Sequence, residues 1–173
     1  MSTYRSLALV LPLVMVVACA QHDSYAGDGR LIDNGITAAE TRYVAEVGRV
    51  DLAHSGTAKF EFSGLPRTYF VVGLQMPARA ALGADGRLRT GADVSFEIVR
   101  VDYGMVAVVT APLREWTLSN RPHGDAAFAY LRRSQSYFDA FPEAHYRLTV
   151  TVNVPDPSLP PDSWVVLESA GWK

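Results

Sequence analysis

The chain has 173 residues, with 16 lysines and arginines against 18 aspartates and glutamates, a formal net charge of −2, and 49% hydrophobic residues. That length and apolar share suit one domain with a proper core and are short for two. The slightly acidic balance implies no polyanion partner, no basic block suggests nucleic acid, and a single cysteine excludes an internal disulfide framework.

The chain starts with a charged residue, Arg5, ahead of an apolar run over residues 7–17 that closes on Val16-Val17-Ala18-Cys19. A run of about a dozen apolar residues is too short to span a bilayer and has the form of a secretory signal. Pro12 interrupts it, and Gln21, His22 and Asp23 follow at once, which argues against a transmembrane anchor. The Val-Val-Ala-Cys tetrad resembles the lipobox of bacterial lipoproteins. The resemblance implies cleavage before Cys19, diacylation of its thiol with palmitate-type chains and acylation of the new amine; the alternative is an ordinary signal peptide with an incidental cysteine. One acyl chain holds a protein only marginally, and several make a stable anchor. Ala20 stands where an aspartate resembles an inner-membrane retention signal, so the expected address is the periplasmic face of the outer membrane.

Residues 19–34, polar and carrying Gly27 and Gly29, read as a lipidated tether after a signal peptide over 1–18. If flexible, such a segment spans roughly 20 Å. The domain is expected over 35–173. Thr37 with Glu40 three residues on has the form of a capping box, so a short helix is expected over 37–42. Period two then takes over. Residues 57–62 alternate Phe60 and Phe62 with Lys59 and Glu61, which predicts a half-exposed strand. Residues 68–76 are apolar on both faces and rich in β-branched and aromatic side chains, which predicts a central strand. The segment 77–91 is a long connection with a turn expected at Asp85-Gly86 and one helical turn at 78–82. Residues 94–101 and 105–110 form a hairpin around Asp102-Tyr103-Gly104. The segment 125–141 fits neither period and stays open between an amphipathic helix and two short strands, with strand favoured at its C-terminal part. Residues 146–154 alternate strictly, and 164–167 form a last short strand. Short strands between Gly, Pro and Asp turns predict an all-β fold, a single antiparallel β-sandwich.

Sites are harder to read. The sequence contains no G-x-S-x-G elbow, no H-E-x-x-H and no phosphate-binding glycine loop. The four histidines, His22, His54, His123 and His145, are scattered, and none has a second histidine at ligand spacing, so no metal and no cofactor is expected. Neighbours in a strand point to opposite faces, so His54 beside Ser55 does not make a nucleophile. No catalytic residue is assigned, and the chain reads as a non-enzyme. The segment 114–124 gathers Arg114, Trp116, Arg121 and His123, residue types favoured at interfaces, around a proline. Its alternative is a Trp116 that caps the end of the core.

A Gly64-Leu65-Pro66 corner leads into an aromatic strand, followed by Phe96-Glu97-Ile98-Val99-Arg100-Val101 and a short acidic turn. Pro142 with Tyr146-Arg147-Leu148 then precedes a Pro-Asp-Pro-Ser-Leu-Pro segment over 155–160. Over residues 43–173 this order resembles an uncharacterised family of bacterial lipoproteins with a β-sandwich domain of unknown function. The resemblance implies a fold and a compartment, and no catalytic residues. The expected function is therefore a lipid-anchored, non-catalytic binding domain with a protein or envelope-component partner, in one version an immunity-type protein against a periplasmic toxin. A structural part of an envelope or secretion assembly and a hydrolase with an unrecognised acidic site are the alternatives.

Overall fold

The structure is a computed structural model that describes residues 24–34, 42–77, 82, 88–118, 126–130, 136–159, 161 and 163–169. Its strands are β1 (Ala26–Gly27), β2 (Arg30–Asp33), β3 (Tyr43–Val50), β4 (Gly56–Ser63), β5 (Tyr69–Pro77), β6 (Asp93–Arg100), β7 (Gly104–Pro112), β8 (Thr117–Leu118), β9 (Ala126–Tyr130), β10 (Tyr137–Asp139), β11 (His145–Val154) and β12 (Ser163–Ser169). A 3-10 turn, Leu113–Glu115, follows β7. Two antiparallel sheets pack face to face as a β-sandwich. One is five-stranded in the order β1-β4-β11-β6-β7; the other is seven-stranded in the order β2-β3-β12-β5-β9-β8, with β10 also paired to β5. Among the described residues no helix is long and apolar enough to cross a membrane.

Alternation builds the five-stranded sheet. Tyr146, Leu148, Val150 and Val152 of β11 point inward and are buried, while Arg147, Thr149, Thr151 and Asn153 line the outer face. The register sets Phe96 against Val150 and Ile98 against Leu148, so one apolar row crosses the sheet. The outer face is polar: Arg147 bridges Glu61 at 2.9 Å, and Asn153 donates to Asp93 and Ser95. In the seven-stranded sheet β5 and β12 lie side by side in the middle and are buried along most of their length. Inward-facing Phe70, Val72, Leu74 and Met76 meet the first sheet; Val71 and Val166 form a second, smaller apolar cluster on the other face with Val44, Tyr137 and Trp164. Deleting one such fully buried Leu side chain costs about 2–5 kcal/mol.

The domain begins earlier than its sequence pattern implied. Ala26 and Gly27 pair with Ser63 and Phe62 in one sheet, and residues 30–33 pair with β3 in the other. The chain changes sheet over Asp28-Gly29, where Gly27 and Gly29 hold φ of 109° and 84°, conformations that a side chain disfavours. The reading of 19–34 as tether is thus corrected from Ala26 onward: short strands with few apolar residues carry no periodicity, and their order comes from sheet pairing. Tyr43–Val50 also goes beyond the expected elements, since Ala45, Gly48 and a bulge near Val47 blur its alternation. The expected helix over 37–42 lies, apart from Arg42, outside the described residues, as does the Asp85-Gly86 turn. Leu82, read as the end of a helical turn, instead bridges Leu88 in antiparallel fashion. The open segment 125–141 supplies two strands. β9 and β10 take successive stretches of the same edge of β5, so neither is long enough to show a period of its own.

Candidate functional site

Loops gather at the two ends of a sandwich, where binding residues commonly sit. At one end the connection 64–68, the hairpin turn 101–103 and the connection 140–144 come together. Backbone hydrogen bonds fix this end: Val101 N–H donates to His145 O at 2.9 Å, Tyr103 N–H to Arg100 O at 3.0 Å, and Ala140 N–H to Thr68 O at 2.9 Å. Gly104 closes the hairpin with a φ of 107°, a conformation that suits glycine.

Beneath this end lies Tyr146, 1% exposed. Its ring stacks on Phe62 at a centroid distance of 5.7 Å and meets Phe138 at the same distance, tilted. Its hydroxyl accepts the Phe141 N–H at 2.9 Å, which ties the 140–144 connection to the core. Burial raises the Tyr146 pKa above the usual tyrosine value, and the Phe141 hydrogen bond opposes that in part.

Phe141 in turn holds two cations. The Arg67 guanidinium lies 5.2 Å from its ring centroid and the Arg100 guanidinium 5.3 Å, and Arg100 also lies 4.4 Å from the Tyr103 centroid. Each such contact is worth about 0.5–2 kcal/mol, more as the cation is desolvated. Arg100 is thus fixed by two rings. Its Nε forms an ion pair with Asp102 Oδ1 at 3.1 Å, without hydrogen-bond geometry, and its side chain is 20% exposed. A cleft of about 510 Å³ opens beside it. Tyr69, Tyr103, Tyr137 and Phe141 supply aromatic walls, Met105, Val106 and Phe138 apolar ones, and Asp139 a carboxylate. Tyr69, Tyr103 and Met105 are 46%, 73% and 61% exposed. The volume falls within the range of small-ligand or side-chain sites, and polar and apolar surface share the lining about equally. The planar guanidinium fork suits a carboxylate or phosphate, and one carboxylate, that of Asp102, already pairs with it.

The residues expected from the sequence sit elsewhere. Trp116 is 5% exposed; its Nε1–H donates to Ala111 O at 3.2 Å, and its ring meets Phe96 at 5.3 Å. The indole belongs to the core and is not a surface contact. Arg114 is exposed beside it. Both follow the Pro112 end of β7, roughly 25 Å along the strand from the cleft. Arg121, His123 and Cys19 lie outside the described residues. The cleft residues escaped the sequence reading because each is an isolated aromatic or arginine near a turn; only the Asp102-Tyr103-Gly104 corner marked the place.

Two further polar arrangements are structural. Asp156 Oδ1 accepts Ser158 Oγ at 2.6 Å and the Ser158 N–H, while Oδ2 accepts Thr90 Oγ1 at 2.8 Å and the Gly91 N–H. These bonds, Ser158 first and Thr90 next, hold the Asp156 pKa down at about 2 and pin the 155–159 loop to residues 90–91. His54 Nδ1 meets Asp51 at 2.8 Å on an exposed turn. Among the described residues no three His, Cys, Asp or Glu side chains gather as metal ligands. Comparison with protein-family models, with curated proteins and with solved structures finds no match for this chain.

Proposed function

We propose that this chain is a lipoprotein anchored through Cys19 at the periplasmic face of the outer membrane, and that its β-sandwich is a non-catalytic binding domain. The arginine cleft is its recognition site. The observation that carries the reading is the Arg100 guanidinium, held by two aromatic rings and the Asp102 carboxylate beside a cleft of about 510 Å³, with no hydrogen bond to its Nε. A cation fixed in this way loses little freedom on meeting an anionic group, and preorganisation favours binding. The resemblance to β-sandwich lipoproteins, the lipobox-like Val-Val-Ala-Cys and an immunity-type role for this domain, with a periplasmic toxin as its partner, are parts of the same proposal.

Two measurements test it. Cys19→Ala moves the protein from the salt-washed membrane fraction to the soluble one; retention of the mutant in the membrane contradicts the anchor. The second isolates the full-length protein from envelope extract with its partner. Arg100→Ala loses that partner and Arg114→Ala keeps it; recovery unchanged by Arg100→Ala contradicts the cleft.

A further inference from the structure

Sheet edges differ sharply in this molecule. Among the described residues β1 and β8 are two residues long and β2 is four, with Arg30 and Asp33 paired in ion bridges to Glu46 and Arg42. Short or charged edges are the usual protection against unwanted strand pairing. By contrast β7 ends its sheet with nine residues, Gly104–Pro112, none of them charged.

Its hydrogen-bonding groups are laid out for a partner. Leu113 N–H donates to Ala92 O at 2.9 Å, so by the period-two alternation of an antiparallel pair residues 107, 109 and 111 turn their backbone groups toward β6. Val108 and Thr110 therefore turn theirs to the outer edge, where among the described residues no strand pairs with β7. A hollow of about 430 Å³ runs there, touching Ala107 as well as Val108. Neighbouring residues face opposite sides of a sheet, so a hollow that touches both lies along the edge. It shares Met105 and Val106 with the arginine cleft, so the two hollows adjoin.

We propose that β7 takes up an extended strand from a partner polypeptide, and that an Asp or Glu side chain of that strand reaches Arg100; this rests on the cleft being the binding site. Main-chain bonds to Val108 and Thr110 supply affinity, and the cleft supplies selectivity, which is the logic of strand addition. The charge of the occupant follows from Arg100, and its extended shape from the strand edge with its two adjoining hollows. A second copy of this chain fits less well, because β7 has no carboxylate to offer.

The test is selection of displayed random twelve-residue peptides on the full-length, detergent-solubilised protein. Enrichment of alternating apolar and polar residues with an acidic residue at one fixed place is the expected result. Binding of the enriched peptides then falls at least about tenfold with Thr110→Pro and with Arg100→Gln. Proline at 110 removes an N–H that faces the outer edge and leaves the β6 pairing intact. If that variant does not fold, Val108→Lys replaces it. No enrichment overturns the proposal. Loss with Arg100→Gln and full binding with Thr110→Pro overturns strand addition and leaves the cleft reading standing, whereas the reverse pattern removes the cleft. Concentration-dependent dimerisation abolished by Thr110→Pro assigns the edge to a second copy, which also overturns the proposal.

Discussion

Tyr146→Phe removes one oxygen and keeps the ring. The stacking on Phe62 and the contact with Phe138 survive, so the change isolates the hydrogen bond in which the Tyr146 hydroxyl accepts the Phe141 N–H at 2.9 Å. That N–H is part-buried, and an orphaned buried donor costs about 1–3 kcal/mol. For a domain of this size the loss corresponds to a drop in melting temperature of roughly 3–10 °C. The effect reaches the cleft as well, because Phe141 is one of the two rings that hold Arg100. Differential scanning calorimetry measures the first consequence, and partner binding measures the second. A melting temperature within a degree of wild type, or a lowered one with partner affinity unchanged, refutes the claim that Tyr146 organises this end of the sandwich.

Other predictions address the rest of the fold. Val150→Asp places an unpaired charge at a fully buried position and unfolds the domain, while Thr149→Asp on the outer face, opposite Glu97 and Lys59, costs under about 1 kcal/mol; thermal melts separate them. Trp116→Ala loses a buried indole and about 3–5 kcal/mol, whereas Arg114→Ala leaves the melting temperature almost unchanged. Asp156 has a folded pKa of about 2, below its unfolded value, so its contribution is full above the unfolded pKa and is lost as pH falls toward 2. Asp156→Asn accordingly destabilises the protein at pH 7 by about 1–2 kcal/mol, a range that allows for the exposure of the carboxylate, and flattens the pH dependence between pH 4 and 2; an unchanged acid limb in denaturant titrations contradicts this.

Strands whose buried and solvated faces carry clearly different residue types were legible, because the two faces leave opposite marks on neighbouring residues. β11 is the plainest instance, with Val150 inside and Thr149 outside. β3 alternates in burial, but its Ala45 and Gly48 blur that mark. β5 was legible for a different reason, its apolar run being the mark of a strand covered on both faces. The two-residue β1 and the four-residue β2 have no such pattern, and their place depends on partners more than thirty and about a dozen residues away. The cleft depends on register to a greater degree. Arg100 ends β6, Tyr69 starts β5 and Phe141 follows β10, and the packing of one sheet on the other, with β10 paired to β5, brings them together. Trp116 left two readings open from sequence, a surface contact and a core cap, and its burial against Phe96 matches the core cap.

The claim that matters most is that the Arg100 cleft meets a partner in the envelope. A photo-reactive amino acid in place of Tyr103, which is 73% exposed at the cleft mouth, tests it in intact cells with the full-length anchored protein. The account predicts one crosslinked adduct that disappears when Arg100→Gln is added and that is missing when the same group replaces Thr149 on the outer face. No adduct at position 103, or an adduct indifferent to Arg100, contradicts it.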